Sequence, residues 1–149
     1  MAIDTKVRTY SPGQVVMTFG SFTMTGFADG MFIKVERAGR AFEKKRGNDG
    51  TVDRINKNIF DFTVTLNLKK TSISNDDLST TFNSDLINND GVHPLSIKDL
   101  NGTSLFYSES VWVAQDPAEE FTDDLANNEW QFDTGPAEKF TGGNNAVNE

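Results

Sequence analysis

Hydrophobic and polar residues alternate through the first half of the chain. Val15, Met17 and Phe19 alternate with Gln14, Val16 and Thr18, and after Gly20-Ser21, Phe22 and Met24 alternate with Thr23 and Thr25. Alternation of this kind is the signature of a half-buried strand. A Gly-Ser pair between two such runs is a two-residue hairpin signal. The predicted turn pairs Phe19 with Phe22 and Met17 with Met24 on one face, and Thr18 with Thr23 and Val16 with Thr25 on the other. Asp29-Gly30 predicts a second turn, leading into a strand over 32–37 in which Ile33 and Val35 face away from Lys34 and Glu36. The clearest strand is 61–69, with Phe62, Val64, Leu66 and Leu68 set against Thr63, Thr65, Asn67 and Lys69. Such a sheet has one apolar side to bury and one threonine-rich side that carries no catalytic chemistry.

Between these strands, residues 38–58 are polar and punctuated by Gly39, Gly47 and Gly50, and they read as a long loop. Loops beyond about 12–15 residues are uncommon in compact domains and are usually functional or disordered. This one carries Arg40, Lys44, Lys45, Arg46, Arg54 and Lys57. A helix is predicted over about 74–88: Ser74 with Asp77 forms a capping-box variant, Asp76 and Asp77 suit the helix N-terminus, and Leu78, Phe82 and Leu86 make one apolar stripe. Strands follow over 95–99 and 104–114 around an Asn101-Gly102 turn, with Trp112 and later Trp130 in core-like alternation. Residues 117–128 are acidic and without period, and 129–133 predict a last strand with Trp130 and Phe132 on one face. The division is an extended arm at 1–12, a mainly β domain at 13–134 and a frayed tail at 135–149.

At 149 residues the chain predicts one domain with a sizeable core. The absence of cysteine excludes disulfides and thiolate metal sites, and a single histidine, His93, argues against a His-rich metal site or a serine-type triad. No apolar run is long enough to span a membrane, and the first ten residues lack a signal-peptide core, so synthesis and use without secretion are expected. The formal charge is −8, but it is unevenly spread: residues 1–70 hold 12 Lys/Arg against 7 Asp/Glu, and residues 71–149 hold 2 against 15. Such polarity can steer one end of a molecule toward the opposite end of a neighbour; it can equally neutralise itself within one fold.

Asp49-Gly50 and Asp90-Gly91 lack the spaced oxygen ligands of a calcium loop. Glu119-Glu120 and Asp123-Asp124 read as a solvated acidic surface rather than a glycosidase pair. His93, before Pro94, reads as an exposed turn histidine. The basic loop has Phe42 alone for stacking on bases, in an acidic chain, which argues against specific nucleic-acid binding. No catalytic motif and no cofactor site emerge, so the chain is expected not to be an enzyme.

One resemblance organises these features. Tyr10-Ser11-Pro12-Gly13, Thr25-Gly26-Phe27-Ala28-Asp29-Gly30 leading into Phe32-Ile33-Lys34-Val35, and Gly47-Asn48-Asp49-Gly50-Thr51-Val52-Asp53-Arg54 occur in that order. They are followed by Val64-Thr65-Leu66-Asn67-Leu68, Thr71-Ser72-Ile73-Ser74-Asn75-Asp76-Asp77-Leu78-Ser79 and Ile97-Lys98-Asp99-Leu100-Asn101-Gly102-Thr103. This collinear set resembles the tail tube proteins of contractile-tailed bacteriophages. The resemblance implies a β-sandwich or barrel with one flanking helix and a long inter-subunit loop. It implies hexameric rings stacked into a tube, each copy giving four strands to a continuous inner barrel. The partners implied are other copies of the chain, a tail sheath, a baseplate or initiator, a tail terminator and a tape measure protein, with phage DNA passing non-specifically in the lumen. The place implied is the virion tail, after synthesis in the bacterial cytoplasm.

On this reading the lumen would be faced by Thr18, Thr23, Thr25, Lys34, Glu36, Thr63, Thr65 and Asn67, with Glu36 screening Lys34; the plainer alternative for that face is ordinary outer solvent. The inter-subunit loop would offer Arg40, Lys44, Lys45, Arg46, Asp49 and Arg54 to an acidic counterpart at Asp116, Glu119, Glu120, Asp123 and Asp124. Two other readings stay open: the tube of a phage-derived injection device, and a small β-sandwich binding module. The scarcity of Tyr and Trp, 2 of each, argues against the binding module.

Overall fold

A computed structural model describes Val7 and residues 10–143. The elements run β1 (Val15–Phe19), β2 (Phe22–Thr23), β3 (Ile33–Arg37), β4 (Phe42–Arg46), β5 (Val52–Asn56), β6 (Phe62–Lys69), α1 (Ser74–Asn88), β7 (His93–Asp99), β8 (Leu105–Gln115), β9 (Asn127–Thr134) and β10 (Ala137–Phe140). Eight strands form one antiparallel sheet in the order β2-β1-β7-β8-β9-β6-β3, with β10 on β8. The remaining two, β4 and β5, form a sheet of their own.

The sheet curls until its two ends meet. The chain leaving β2 bonds across to β6: the Ala28 N–H donates to the Asn67 carbonyl at 3.0 Å, the Lys69 N–H donates to the Gly26 carbonyl at 2.9 Å, and Phe27 bridges Leu68. The strand path is thereby closed at one end. Inside lie Met17 and Phe19 of β1, Val64, Leu66 and Leu68 of β6, Leu95 and Ile97 of β7, Phe106, Val111 and Val113 of β8, and Trp130 and Phe132 of β9. Phe19 meets Phe132 edge-on at 5.2 Å between ring centres, so the first strand and the ninth share one core.

The predicted hairpin forms with the expected Thr18–Thr23 and Phe19–Phe22 pairs. The Val16–Thr25 pair does not form, because the chain turns away to meet the start of α1. Ser74 is not the helix cap; it is a cross-link. Its Oγ accepts the Thr25 N–H at 3.0 Å, while the Ser72 hydroxyl donates to the Thr25 carbonyl at 2.6 Å and accepts the Ser74 N–H at 3.2 Å. Asn75 completes the knot: its amide nitrogen donates to the carbonyls of Lys69 at 2.9 Å and Ser72 at 3.1 Å, and its oxygen accepts the indole N–H of buried Trp130 at 2.9 Å. Gly26 has φ +72°, and a Cβ there would lie 2.6 Å from the Ser72 Cβ, so both conformation and space demand glycine.

Other departures have local causes. Residues 38–58 are not an irregular loop: β4 and β5 pair from Phe42↔Asn56 to Arg46↔Val52 around a Gly47–Gly50 turn. Their sequence hides the strands because neither face is buried, and so no apolar alternation is needed. Residues 137–140 fall in the segment predicted as tail, yet β10 is a strand of the main sheet. The 11-residue β8 outruns β9, and β10 covers the remainder, pairing Phe140 with Leu105. His93 is not in a turn; it opens β7 at a bulge that tolerates Pro94, half-buried, with its ring edge-on to Phe19 at 5.5 Å. Trp112 is not in the core, since Val111 and Val113 occupy the inner face and it lies on the other. In α1 the apolar stripe packs only at Leu78 and Phe82; Leu86 is 67% exposed. Most of the predicted N-terminal arm, and the tail beyond 143, lie outside the described residues.

Asn75→Ala removes three hydrogen bonds and leaves the Trp130 N–H buried without a partner. A loss of about 1–3 kcal/mol is expected in urea unfolding. Leu86→Ala, from the same predicted helix, is expected to stay within about 0.5 kcal/mol of the parent.

Candidate assembly surfaces

Three surfaces carry the polar residues singled out from the sequence. The first is the outer face of β3, β6 and β9. Its register sets Lys34 opposite Thr65, Glu36 opposite Thr63, Thr63 opposite Asp133, Thr65 opposite Gln131 and Asn67 opposite Glu129. The result is one wall of hydroxyl, amide and carboxylate groups, with two lysines, Lys34 and Lys69, against three carboxylates. Lys34 Nζ lies 3.6 Å from Glu36 Oε2, so one of the two cations is paired along its own strand. That exposed pair adds only about 0–1 kcal/mol of stability, but it lowers the local positive potential.

Five of the eight predicted lining residues, Lys34, Glu36, Thr63, Thr65 and Asn67, thus share one wall. Thr18 and Thr23 pair on β1–β2, separated from it along the sheet by β7 and β8. Thr25 belongs to neither group, being bound to the start of α1. The wall also contains Glu129, Gln131 and Asp133, which the sequence reading passed over in favour of Trp130 and Phe132. The alternation was visible there; that β9 lies beside β6 is a long-range fact.

The second surface is the β4–β5 hairpin. Residues directly opposite one another share a face, so Phe42/Asn56, Lys44/Arg54 and Arg46/Val52 lie on one side, and Glu43/Ile55 and Lys45/Asp53 on the other. The first face carries three cations and no acid, with Phe42 and Val52 exposed among them. The Arg54 guanidinium lies over the Phe42 ring at 4.5 Å, which holds it on that face. The second face is balanced, and Glu43 Oε2 accepts from Lys57 at 2.7 Å. Asp49, predicted as a contact residue, is spent on the turn: its Oδ1 accepts the Thr51 hydroxyl at 2.7 Å and the Thr51 N–H at 3.1 Å.

The third surface is the strap 116–126 between β8 and β9. Asp116, Glu119, Glu120, Asp123 and Asp124 are all exposed on it. Lys70, just past β6, pins the strap: its Nζ lies 3.7 Å from Glu119 Oε1, donates to the Glu120 carbonyl and sits 4.5 Å from the centre of the Phe121 ring. No local pattern announces this clamp, because its partners are about fifty residues apart.

Elsewhere, an apolar cleft of about 590 Å³ opens at the unclosed end of the sheet, between Val15, Ile33, Val35, Phe106 and Phe140. Among the described residues no three His, Cys, Asp or Glu side chains gather to hold a metal ion, and no helix is long and apolar enough to cross a membrane.

Hydrogen bonding to Lys57, with its charge, lowers the Glu43 carboxyl below its usual 4.5, and hydrogen bonding to Thr51 lowers Asp49 below its usual 3.8. Both carboxylates are therefore held ionised by the folded hairpin. Their contribution is complete above the ordinary carboxylate range and is lost as pH falls through the lowered values. Amide exchange at Thr51 and Lys57 is expected to lose protection in that acidic window, once intrinsic exchange is corrected for, while β6 amides keep theirs. Parallel loss in hairpin and core would argue against this local effect.

No protein-family profile matches the chain. It is 29% identical over 150 residues to structural protein ORF10 of Pseudomonas phage KPP10, a match covering 95% of this chain and 87% of that protein. Among solved structures it is similar to the tube-terminating cap of the anti-feeding prophage, with a TM-score of 0.61, 11% identity and 95% of each chain covered. The sheath/tube terminator of an extracellular contractile injection system gives 0.59 at 14% identity, covering 94% of this chain and all of the other. A chain of that system's sheath-tube complex gives 0.58 at 13%, covering 89% and 91%. The mainly β, tail-tube-like architecture expected from the sequence is therefore the fold observed, shared with proteins of contractile tube, sheath and cap assemblies.

Proposed function

We propose that this chain is a structural component of a contractile phage-type tail: an inner tube protein that assembles with copies of itself into stacked rings, with phage DNA passing through the bore. The observation that carries the reading is the combination of a phage structural protein similar along almost the whole chain with a fold shared by tube and cap proteins. The β3–β6–β9 wall supplies the lining. Hydroxyls and amides keep it hydrated, three carboxylates repel phosphate, and of its two lysines Lys34 is paired with Glu36 while Lys69 stands apart at the end of β6, so DNA is given no run of cations to release counterions against. No step in this role calls for catalysis or a cofactor. A sheath, an initiating baseplate, a terminator and a tape measure protein are the partners such a tube requires, and the virion is where it would reside.

A second reading is a tube-terminating cap, favoured by the likeness to two terminator chains. The tube of an injection device would use the same surfaces. A binding module is disfavoured by the scarcity of Tyr and Trp, 2 of each, with Trp130 buried in the core and Trp112 outside it.

Negative-stain electron microscopy over a protein concentration series separates these readings. Hollow rods of uniform diameter are the result expected for a tube, and rings that never elongate would indicate a cap. Monomers at every concentration, with or without preformed rods as seeds, would sink the assembly reading. The lining has its own test, made clean by the absence of native cysteine. Thr65→Cys and Gln131→Cys are expected to react with a bulky polyethylene-glycol maleimide as monomers and to be protected about tenfold or more in rods. Equal reactivity in both states would place the wall on the outside.

A further inference from the structure

The cationic hairpin face has the composition of an interface lacking its other half. Lys44 stands directly opposite Arg54, an arrangement that costs stability in an antiparallel pair. Arg46 extends the row, and no acid on that face offsets it. None of these three side chains, nor Arg40, makes an ion pair among the described residues. Phe42 and Val52 lie exposed between the charges. Hairpins isolated in water are at best marginal, and this one joins no other sheet and is exposed along both strands.

The complement is on the same molecule, in the strap. Phe121 is 86% exposed and Leu125 64%, and Glu120, Asp123 and Asp124, all exposed, neighbour them along the strap. Lys70 engages Glu119, the Glu120 backbone and the Phe121 ring, which fixes the strap's course but leaves Asp123 and Asp124 without a cationic partner among the described residues. One surface presents cations around Phe42 and Val52; the other presents carboxylates around Phe121 and Leu125.

We infer that the Lys44–Arg46–Arg54 face of the hairpin docks on the 119–125 strap of a second copy of this chain. The inference rests on the self-assembly proposed above and adds which face of the hairpin is used and what it meets. It is heterologous, hairpin to strap, and so it propagates from copy to copy. Single exposed ion pairs are weak, but three cations meeting three carboxylates around apolar side chains, repeated through an assembly, set register and direction. Lys45, on the balanced face opposite Asp53, takes no part.

Two variants test this. In one, Lys44, Arg46 and Arg54 are replaced by Glu; in the other, Glu120, Asp123 and Asp124 are replaced by Lys. All six positions are exposed, and circular dichroism checks the fold of each variant. Neither is expected to form rods alone at up to about tenfold the wild-type threshold, because each presents like charges at both halves of the contact. Mixed in equal amounts, the two present opposite charges at every contact and are expected to co-assemble, with salt raising the threshold. Lys45→Glu is expected to assemble as wild type does.

Rods from either variant alone, or a mixture that stays monomeric in sedimentation while wild type forms rods, would overturn the pairing and leave the tube reading intact. If wild type itself forms no rods, the tube reading fails, and the pairing is then judged by association of the two variants in sedimentation.

Discussion

Five residues, Met24 to Ala28, hold the architecture together. The chain leaves β2 there and must reach β6 to close the sheet, while α1 arrives from the other side. Gly26 permits the close approach, and Ser72, Ser74 and Asn75 bind the backbone of Thr25 and Lys69 and the indole of Trp130. Backbone groups removed from a regular ladder must find other partners if they are buried, and here the side chains of the helix start supply them. Closure matters because an open sheet with one apolar face must cover that face. By curling, this sheet covers it with its own far strands, and Phe19 comes to rest against Phe132. Its other face is left outside, free to be polar.

What the sequence revealed and what it hid divide along physical lines. Strands with one buried face announce themselves by alternation, so β1, β6 and β9 and the inward set Met17, Phe19, Val64, Leu66, Leu68 and Phe132 were legible. The hairpin β4–β5 was not, since burial imposes nothing on it. Ser74 looked like a cap because the local pattern Ser-Asn-Asp-Asp is that of a cap; its real partner, Thr25, is 49 residues away. The lining set was half legible for the same reason. Thr63, Thr65 and Asn67 could be read as a polar stripe, but the decision to place Asp133, Gln131 and Glu129 beside them belongs to the strand order.

The charge asymmetry gains meaning only when mapped onto faces. Along the chain it is a basic half and an acidic half; in the fold, part of each is settled locally. Lys34 pairs with Glu36, Lys57 with Glu43 and Lys70 with Glu119, and Asp49 is absorbed by its turn. Among the charges left without an ion pair are those on one face of the hairpin and on the strap, both lying outside the curled sheet. A monomer has no need to keep like charges opposite each other on a two-stranded ribbon. A copy that must find the next one in a fixed orientation does, because the same charges that weaken the isolated ribbon oppose any docking except onto carboxylates.

Division of labour between surfaces follows from the same chemistry. A wall that nucleic acid slides past must be wet and weakly repulsive, since each phosphate neutralised by a fixed cation releases counterions and becomes a point of retention. Contacts between copies need the opposite: cations and carboxylates that cannot be satisfied at home, set beside apolar groups that exclude water once docked. Under the proposed roles the two requirements fall on separate elements. The wall rests on β6, whose alternate side chains fill the core, so its hydroxyls are held by a rigid strand. The docking charges of the proposed contact sit on an exposed ribbon and on a strap held by Lys70. A substitution that strengthens one surface for its task therefore need not weaken the other, because no strand carries both.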